Sequence, residues 1–183
     1  NRVAICDMDK DKPDAWSWAV KNKSMQNLVF QVDEKKARDQ INQLKTQYDY
    51  IVIDTPPNFQ TAALKAALLA DLVIIPTAPS GMDLSGLMEA KDLAITAGRP
   101  FKLLANRIIK NTTMSRSLLS VLGEEQGQSF KVNITQSVKF VESEAEGLYI
   151  GEYAPNSILH KQVKRLGKEI VSFFEHATEA CTA

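Results

Sequence analysis

Four short, continuous apolar runs constrain the fold of this chain more than any other feature. They are Val3–Cys6, Tyr50–Ile53, Leu72–Ile75 and Lys102–Ala105. Continuous apolar runs, rather than alternating ones, are typical of strands that are buried on both faces of a parallel sheet. Because segments with helical periodicity separate the runs, the sequence predicts βαβ units and an α/β fold.

The helical segments occupy most of the remaining sequence. We predict helices at Glu34–Tyr48, Thr61–Ala70, Leu84–Ala97, Met114–Glu125 and about Pro155–His176, and a further one that contains Trp16 and Trp18. Asp83 precedes the third of these as a candidate cap, and Gly98 follows it as a candidate stop signal. The chain contains no internal repeat, low-complexity tract or linker. We therefore expect a single domain over residues 1–183.

Composition excludes several classes of protein. Of 183 residues, 44% are hydrophobic and 24% are charged, as in soluble globular proteins, and no apolar run approaches the length of a membrane span. Lys+Arg and Asp+Glu both number 22, so any binding to nucleic acid must come from a local patch. The two cysteines, Cys6 and Cys181, are too few for a disulfide framework, and free thiols indicate a cytoplasmic protein.

Polar side chains follow the predicted strands at the points where the strands end. Asp7 and Asp9 follow the first run, Asp54 ends the second, and Asn106 and Arg107 follow the fourth. Ligands of parallel α/β sheets bind at the carboxyl ends of the strands. We therefore expect these side chains to lie along one edge of the sheet.

The three carboxylates suit metal and phosphate chemistry. An Asp that ends an apolar strand has the Walker B pattern, so Asp54 is a candidate Mg²⁺ residue, with a turn or helix cap as the alternative. Asp7 and Asp9 are two residues apart and point the same way on an extended segment. They could order metal-bound water or an attacking water, or they could form a solvated acidic turn.

Five segments, in order and at their spacings, carry a family resemblance. They are CDMDKDKPDAWSW, YDYIVIDTPPN, ADLVIIPTAPSGMDLSGL, LLANRI and GLYIGEYAPNS. Together they resemble the ParA/MinD family of deviant Walker-type ATPases, especially the small plasmid-partition ParA proteins. The resemblance implies a doubly wound, mostly parallel α/β sheet of the P-loop NTPase type, with ATP and Mg²⁺ as cofactors. It also implies an ATP-dependent homodimer that binds DNA non-specifically and a ParB-type centromere-binding partner that stimulates hydrolysis.

The resemblance also implies roles for individual residues. Asp9 would orient the attacking water, Asp7 would lie near the metal, and Asp54 would be the Walker B aspartate. Thr55, Pro56 and Pro57 would form the second switch segment.

Four further roles follow from the same resemblance. Asp83 would lie near the dimer face and contact the family's signature lysine. Asn106 would read the adenine edge and Arg107 would flank the base, while Pro155 would belong to a loop, Tyr153–Ser157, that closes over the adenine. A strand-end turn is the alternative for Asn106.

The sequence departs from the family pattern in two places. Lys10-Asp11 stands where the family usually has Pro-Gln, and the pattern G-x-x-x-x-G-K-[ST] is absent from the 183 residues. The chain also begins without Met, directly on a predicted strand. We therefore expect a single ATPase domain whose N-terminal strand and P-loop lie upstream of Asn1.

A basic strip is predicted on the last helix. Lys161, Lys164, Arg165 and Lys168 share one helical face, opposite the apolar face. Two such strips in a dimer would bind DNA phosphates and associate the protein with the nucleoid, whereas a solvated face is the alternative. The residues after His176 are polar, which argues against a membrane anchor.

We expect a ParA-like ATPase for plasmid or chromosome partition. Two alternatives stay open at this point. One is a hydrolysis-poor regulatory or scaffold relative that binds DNA or a protein partner, and the other is a metabolic ligase of similar fold, like dethiobiotin synthase. The basic strip and Asp83 favour the first two functions over the third.

Overall fold

The computed structural model describes residues 1–22, 24–56, 60–125 and 127–182, without the side chains of residues 60 and 178–182. Pro57 and the side chain of Cys181 therefore lie outside the described residues. The chain forms two compact units. The first comprises Asn1–Val73, Asp92–Pro100 and Val141–Tyr149, and the second comprises Ile74–Lys91, Phe101–Phe140 and Ile150–Ala183. The single domain over residues 1–183 stays a prediction.

A three-stranded parallel sheet organises the first unit. Its strands are β1 (Val3–Asp7), β2 (Val29–Gln31) and β3 (Tyr50–Asp54), in the order β2-β1-β3. The helices α1 (Asp14–Ala19), α2 (Ala37–Lys45) and α3 (Gln60–Leu69) follow the strands in turn. The apolar face of α2 packs on the sheet because its Ile41 and Leu44 recur at helical spacing. The core cluster here consists of Cys6, Met8, Val32, Ala37, Ile41, Leu44 and Ala66.

Gly147 allows a close approach of two segments in the first unit. It has φ 72°, and a Cβ built on it would lie 2.3 Å from Cβ of Lys21 and 3.2 Å from the carbonyl carbon of Lys21. The indole Nε1 of Trp18 donates to the carbonyl oxygen of Leu148 at 3.3 Å. The turn at Gly147 is thus docked on the end of α1, and both Trp16 and Trp18 are half-buried.

The second unit is built on β4 (Val73–Thr77) and β5 (Phe101–Ala105), which form a two-stranded sheet. The second unit contains the helices α5 (Thr113–Glu124), α7 (Ile150–Tyr153) and α8 (Ile158–Thr182), whereas α4 (Gly81–Thr96) and α6 (Val138–Ala145) each have residues in both units. Leu104, Phe130, Val132 and Ile134 form the core cluster. Leu166 and Ile170 of α8 pack against it, as the predicted apolar face requires.

Several predictions of secondary structure are confirmed. The four apolar runs are strands, and the six predicted helical segments all contain helices. The boundary of α4 was predicted wrongly, because Ser80 rather than Asp83 precedes the first turn and the helix begins at Gly81. β2, α6 and α7 were not predicted.

The prediction that all four strands are buried on both faces is wrong for β3 and β4. Val52 is 53% exposed and Ile74 is 37% exposed. Within the described residues β3 pairs with β1 alone and β4 with β5 alone, so their side chains have a neighbouring strand on one side only. In the same part of the chain, every helix is too short or too polar to cross a bilayer.

Candidate functional site

The carboxyl ends of β1 and β3 bring two predicted site residues side by side. Asp7 and Asp54 are register partners in the parallel pair, and the amide of Met8 donates to the carbonyl oxygen of Asp54 at 3.0 Å. The following loop carries Asp9. The structure therefore places Asp7 beside Asp54 at this edge of the sheet, with Asp9 two residues after Asp7.

Asp7 is buried, with 2% of its surface exposed, and both of its carboxylate oxygens accept backbone hydrogen bonds. Oδ1 accepts from the amide of Asp9 and Oδ2 from the amide of Trp16, each at 3.0 Å. Trp16 lies in the first turn of α1, and Pro13 at the start of that helix supplies no side-chain cap. Asp7 therefore caps α1 from the neighbouring strand, where a negative charge is favourable.

Asp9 is half-buried and shapes its own loop. Its Oδ1 accepts from the amides of Asp11, at 3.1 Å, and Lys12, at 3.0 Å. Both bonds fall on the same oxygen, and a carboxylate has further acceptor capacity on the other. The loop is thus a hydrogen-bonded turn built around the carboxylate that the resemblance assigns to the attacking water.

Asp54 is exposed, although the surrounding protein partly desolvates its carboxyl. Partial burial raises its pKa above the usual range, the charge of Asp7 raises it further, and Asp9 and Asp14 add to the effect. The amide of Thr55 acts in the opposite direction by hydrogen bonding to the carboxylate. Like charges that raise a pKa in this way also favour a bound cation.

The carboxylates of Asp54 and Asp7 at this edge are of the chemical type that Mg²⁺ prefers. Among the residues that the structure describes, no three His, Cys, Asp or Glu side chains are grouped closely enough to hold a metal by themselves. Mg²⁺ in phosphate-binding sites takes one or two carboxylates and completes its shell with water and phosphate oxygens. Asp54 would hold such an ion, and Asp7 would lie near it.

A second group of predicted site residues lies at the ends of β4 and β5. The amide of Asn106 donates to the carbonyl oxygen of Thr77 at 2.9 Å, and its side-chain Oδ1 accepts from the amide of Arg107 at 2.9 Å. Arg107 is exposed and has φ 52°, an unfavourable conformation for a residue with a Cβ. Strain of this kind is common at functional sites.

Sequence reasoning assigned no role to Thr77. Its side chain is 1% exposed, and its hydroxyl oxygen has no hydrogen-bond partner among the described residues. A buried hydroxyl without a partner is rare in folded proteins. The only sequence signal was its place at the end of an apolar run.

Asp83 and Pro155 both take part in local turn structure. The hydroxyl of Ser80 donates to the carboxylate of Asp83, whose amide donates back to that hydroxyl at 3.1 Å. The hydroxyl of Ser80 thus caps the first turn of α4, and Asp83 fixes the position of that hydroxyl. The carbonyl oxygen of Pro155 lies 2.8 Å from Nδ1 of His160, a contact that ties the predicted adenine loop to the first turn of α8.

The four cations of the predicted basic strip are all exposed on α8: Lys161, Lys164, Arg165 and Lys168. None of them joins an ion pair with another described residue. The strip therefore keeps its positive charge available to solvent and ligands.

Comparisons with known proteins find partial matches in sequence. Residues 17–96 match the AAA domain family. A ParA family protein of Mycoplasma pneumoniae is 28% identical over 74% of this chain and 55% of its own length. A maintenance of carboxysome distribution protein A of Gloeobacter kilaueensis is 30% identical over 58% of this chain and 50% of its own length. The chain thus spans about half the length of these two relatives.

Solved structures show the same fold. The MinD cell division protein of Aquifex aeolicus aligns with a TM-score of 0.72 and 17% identity, over 93% of this chain and 84% of that protein. A putative plasmid partition protein of Borrelia burgdorferi bound to AMPPNP aligns with a TM-score of 0.71 and 16% identity, over 94% and 86%. These matches confirm the predicted α/β fold.

Proposed function

We propose that the protein is an ATPase that positions DNA or another cargo in the cell, as ParA-type partition proteins do. The observation that carries the proposal is the grouping of Asp7, Asp9 and Asp54 at the carboxyl ends of adjacent parallel strands. ATP with Mg²⁺ is the proposed cofactor. Asn106, Arg107 and Pro155 would contact the base, and Asp83 would lie near the dimer face.

The proposed cycle couples nucleotide to DNA. ATP binding would form a homodimer, and the exposed cations of α8 would then hold DNA phosphates without reading sequence. A ParB-type centromere-binding protein would stimulate hydrolysis and release the dimer. A cytoplasmic, nucleoid-associated protein follows from this cycle.

Within the site, Asp9 would accept a hydrogen bond from the attacking water and orient it toward the γ-phosphate. Asp7 would hold the amide of Asp9 and the first turn of α1 in place. The Mg²⁺ ion would supply neutralisation of the phosphate charge beside Asp54.

The test separates the charge of Asp9 from its role in the turn. In Asp9→Asn, an amide oxygen can still accept from Asp11 and Lys12, but the negative charge is lost. We expect Mg²⁺-dependent ATP hydrolysis by the intact protein to fall by about tenfold or more, while nucleotide affinity is retained. Asp11→Asn in the same loop is the matched control. Unchanged hydrolysis in Asp9→Asn would show that the assignment of Asp9 is wrong.

One observation favours a second function. Both oxygens of Asp7 and one oxygen of Asp9 already accept backbone hydrogen bonds. These carboxylates could therefore stabilise the loop and the start of α1 without taking part in hydrolysis. A hydrolysis-poor scaffold relative would then bind DNA with or without ATP. DNA co-sedimentation with ATP, with ADP and without nucleotide distinguishes the two functions.

A further inference from the structure

An ion pair connects the loop after β1 with the loop after β2. Nζ of Lys10 lies 2.5 Å from Oδ2 of Asp33, and Lys10 directly follows Asp9 in sequence. The two side chains are 61% and 35% exposed. The pair therefore ties the turn that presents Asp9 to a different part of the first unit.

Asp33 is a well-fixed partner for this pair. Its Oδ1 accepts from the amide of Lys35 at 2.8 Å, and its own amide donates to Oε1 of Gln40, in α2, at 3.0 Å. The hydrogen bond from Lys10 and then that from Lys35 hold the pKa of Asp33 below its usual range, so the carboxylate stays charged. The preceding Val32 donates its amide to the carbonyl oxygen of Asp7 at 2.8 Å.

On the other side of the pair, the turn over residues 9–12 is held mainly by local bonds. Asp9 accepts from the amides of Asp11 and Lys12, and Lys12 pairs with the nearby Asp14 at 3.3 Å. The side chain of Lys10 donates a hydrogen bond to Asp33, which lies in the loop after β2. Its loss would leave the turn tied to the sheet through Asp7.

We propose that Lys10 is a positioning residue, which holds the turn around Asp9 through its ion pair with Asp33 and so sets the rate of hydrolysis. This inference rests on the proposed function. In this role Lys10 acts through Asp9, the residue that it follows in sequence. Because both partners are partly exposed, added salt weakens the pair and lowers the rate.

The test compares Lys10→Gln with Lys12→Gln in the intact protein. Both substitutions remove one positive charge from the same turn, but the ion pair of Lys12 is with Asp14, close by in sequence. We expect Lys10→Gln to lower kcat for ATP by about two- to fivefold with little change in KM, and Lys12→Gln to change neither. The charge-swapped double variant Lys10→Glu with Asp33→Lys should recover more activity than either single variant.

Two results would overturn the inference. One is an equal kcat in Lys10→Gln and Lys12→Gln, and the other is a double variant that is no better than its singles. If the wild-type protein hydrolyses no ATP, the proposed function fails, and amide hydrogen exchange then tests the positioning role by itself. Faster exchange of the Asp11 and Lys12 amides in Lys10→Gln than in wild type supports the role, and unchanged exchange contradicts it.

Discussion

Cys6 lies in β1 and has no exposed surface. Burial raises the pKa of its thiol to about 11. The folded protein therefore keeps this thiol protonated at pH values at which the unfolded chain has already lost the proton. Stability gained from the neutral thiol is complete below the pKa of the unfolded state and declines as the pH rises above it.

This shift predicts the pH dependence of unfolding. Between about pH 9 and 11, the free energy of unfolding should fall by about 2–3 kcal/mol more in wild type than in Cys6→Ala. Urea denaturation at a series of pH values measures the slope of the free energy of unfolding against pH for both proteins. The comparison of slopes cancels the cost of the cavity in Cys6→Ala and the titration of tyrosines and lysines. Parallel slopes would contradict the predicted pKa.

Individual residues of the candidate site differ in how far the sequence could predict them. Asp54 and Asp9 were located by their positions after apolar runs, because strand ends are set by local sequence. The cap that Asp7 provides for α1 depends on where the helix lies in space. The pair of Lys10 and Asp33 joins residues that are 23 positions apart, and no spacing rule connects them.

At the scale of elements, α8 supports a neighbouring segment through one acidic side chain. The carboxylate of Glu169 accepts from the amides of Lys131, at 2.7 Å, and Val132, at 3.0 Å. A strand would normally satisfy such amides by pairing. Here a helix side chain takes that role, next to the buried side chain of Val132.

Removal of this carboxylate should therefore destabilise the protein. We expect Glu169→Ala to lower the free energy of unfolding by about 2 kcal/mol, since two amides lose a charged acceptor. Glu169→Gln should cost less, because its amide oxygen can still accept from one of them. Glu175→Ala, on an exposed part of α8, is the matched control and should stay within about 0.5 kcal/mol of wild type. Equal free energies of unfolding in Glu169→Ala and Glu175→Ala would contradict this role of Glu169.

Whether the sequence could predict a strand depended on the length of the strand. The four predicted strands were found because each is a continuous apolar run. β2 spans only Val29–Gln31, and this is too short to produce a pattern. The start of α4 was misplaced because the capping pair Ser80 and Asp83 was interpreted from Asp83 alone.

At the scale of the whole molecule, zero net charge is compatible with a local cluster of positive charge. The four exposed cations of the strip on α8 join no ion pair with a described residue. A protein of this kind can bind a polyanion locally without a general attraction to it. The proposed DNA interface thus predicts strong dependence on salt.

The dependence on salt gives a quantitative test. In the double variant Lys164→Gln/Lys168→Gln, the logarithm of the DNA-binding constant should depend less steeply on the logarithm of the salt concentration. The slope should become shallower by about 0.9 for each phosphate that the protein no longer neutralises. Lys35→Gln with Lys36→Gln removes the same charge from the first unit and should leave the slope unchanged. Filter binding or fluorescence anisotropy with DNA duplexes of unrelated sequence measures this slope. Equal slopes in the two double variants would remove α8 from the interface.

The contact between Gly147 and Lys21 bears on how the gene can change over time. Every amino acid other than glycine brings a Cβ into a space that lies 2.3 Å from Cβ of Lys21, with the backbone of Lys21 close behind it. No rotation of the Lys21 side chain moves these atoms away, and the positive φ adds strain of its own. Mutations in this codon that persist in a lineage with an intact fold are therefore the silent ones.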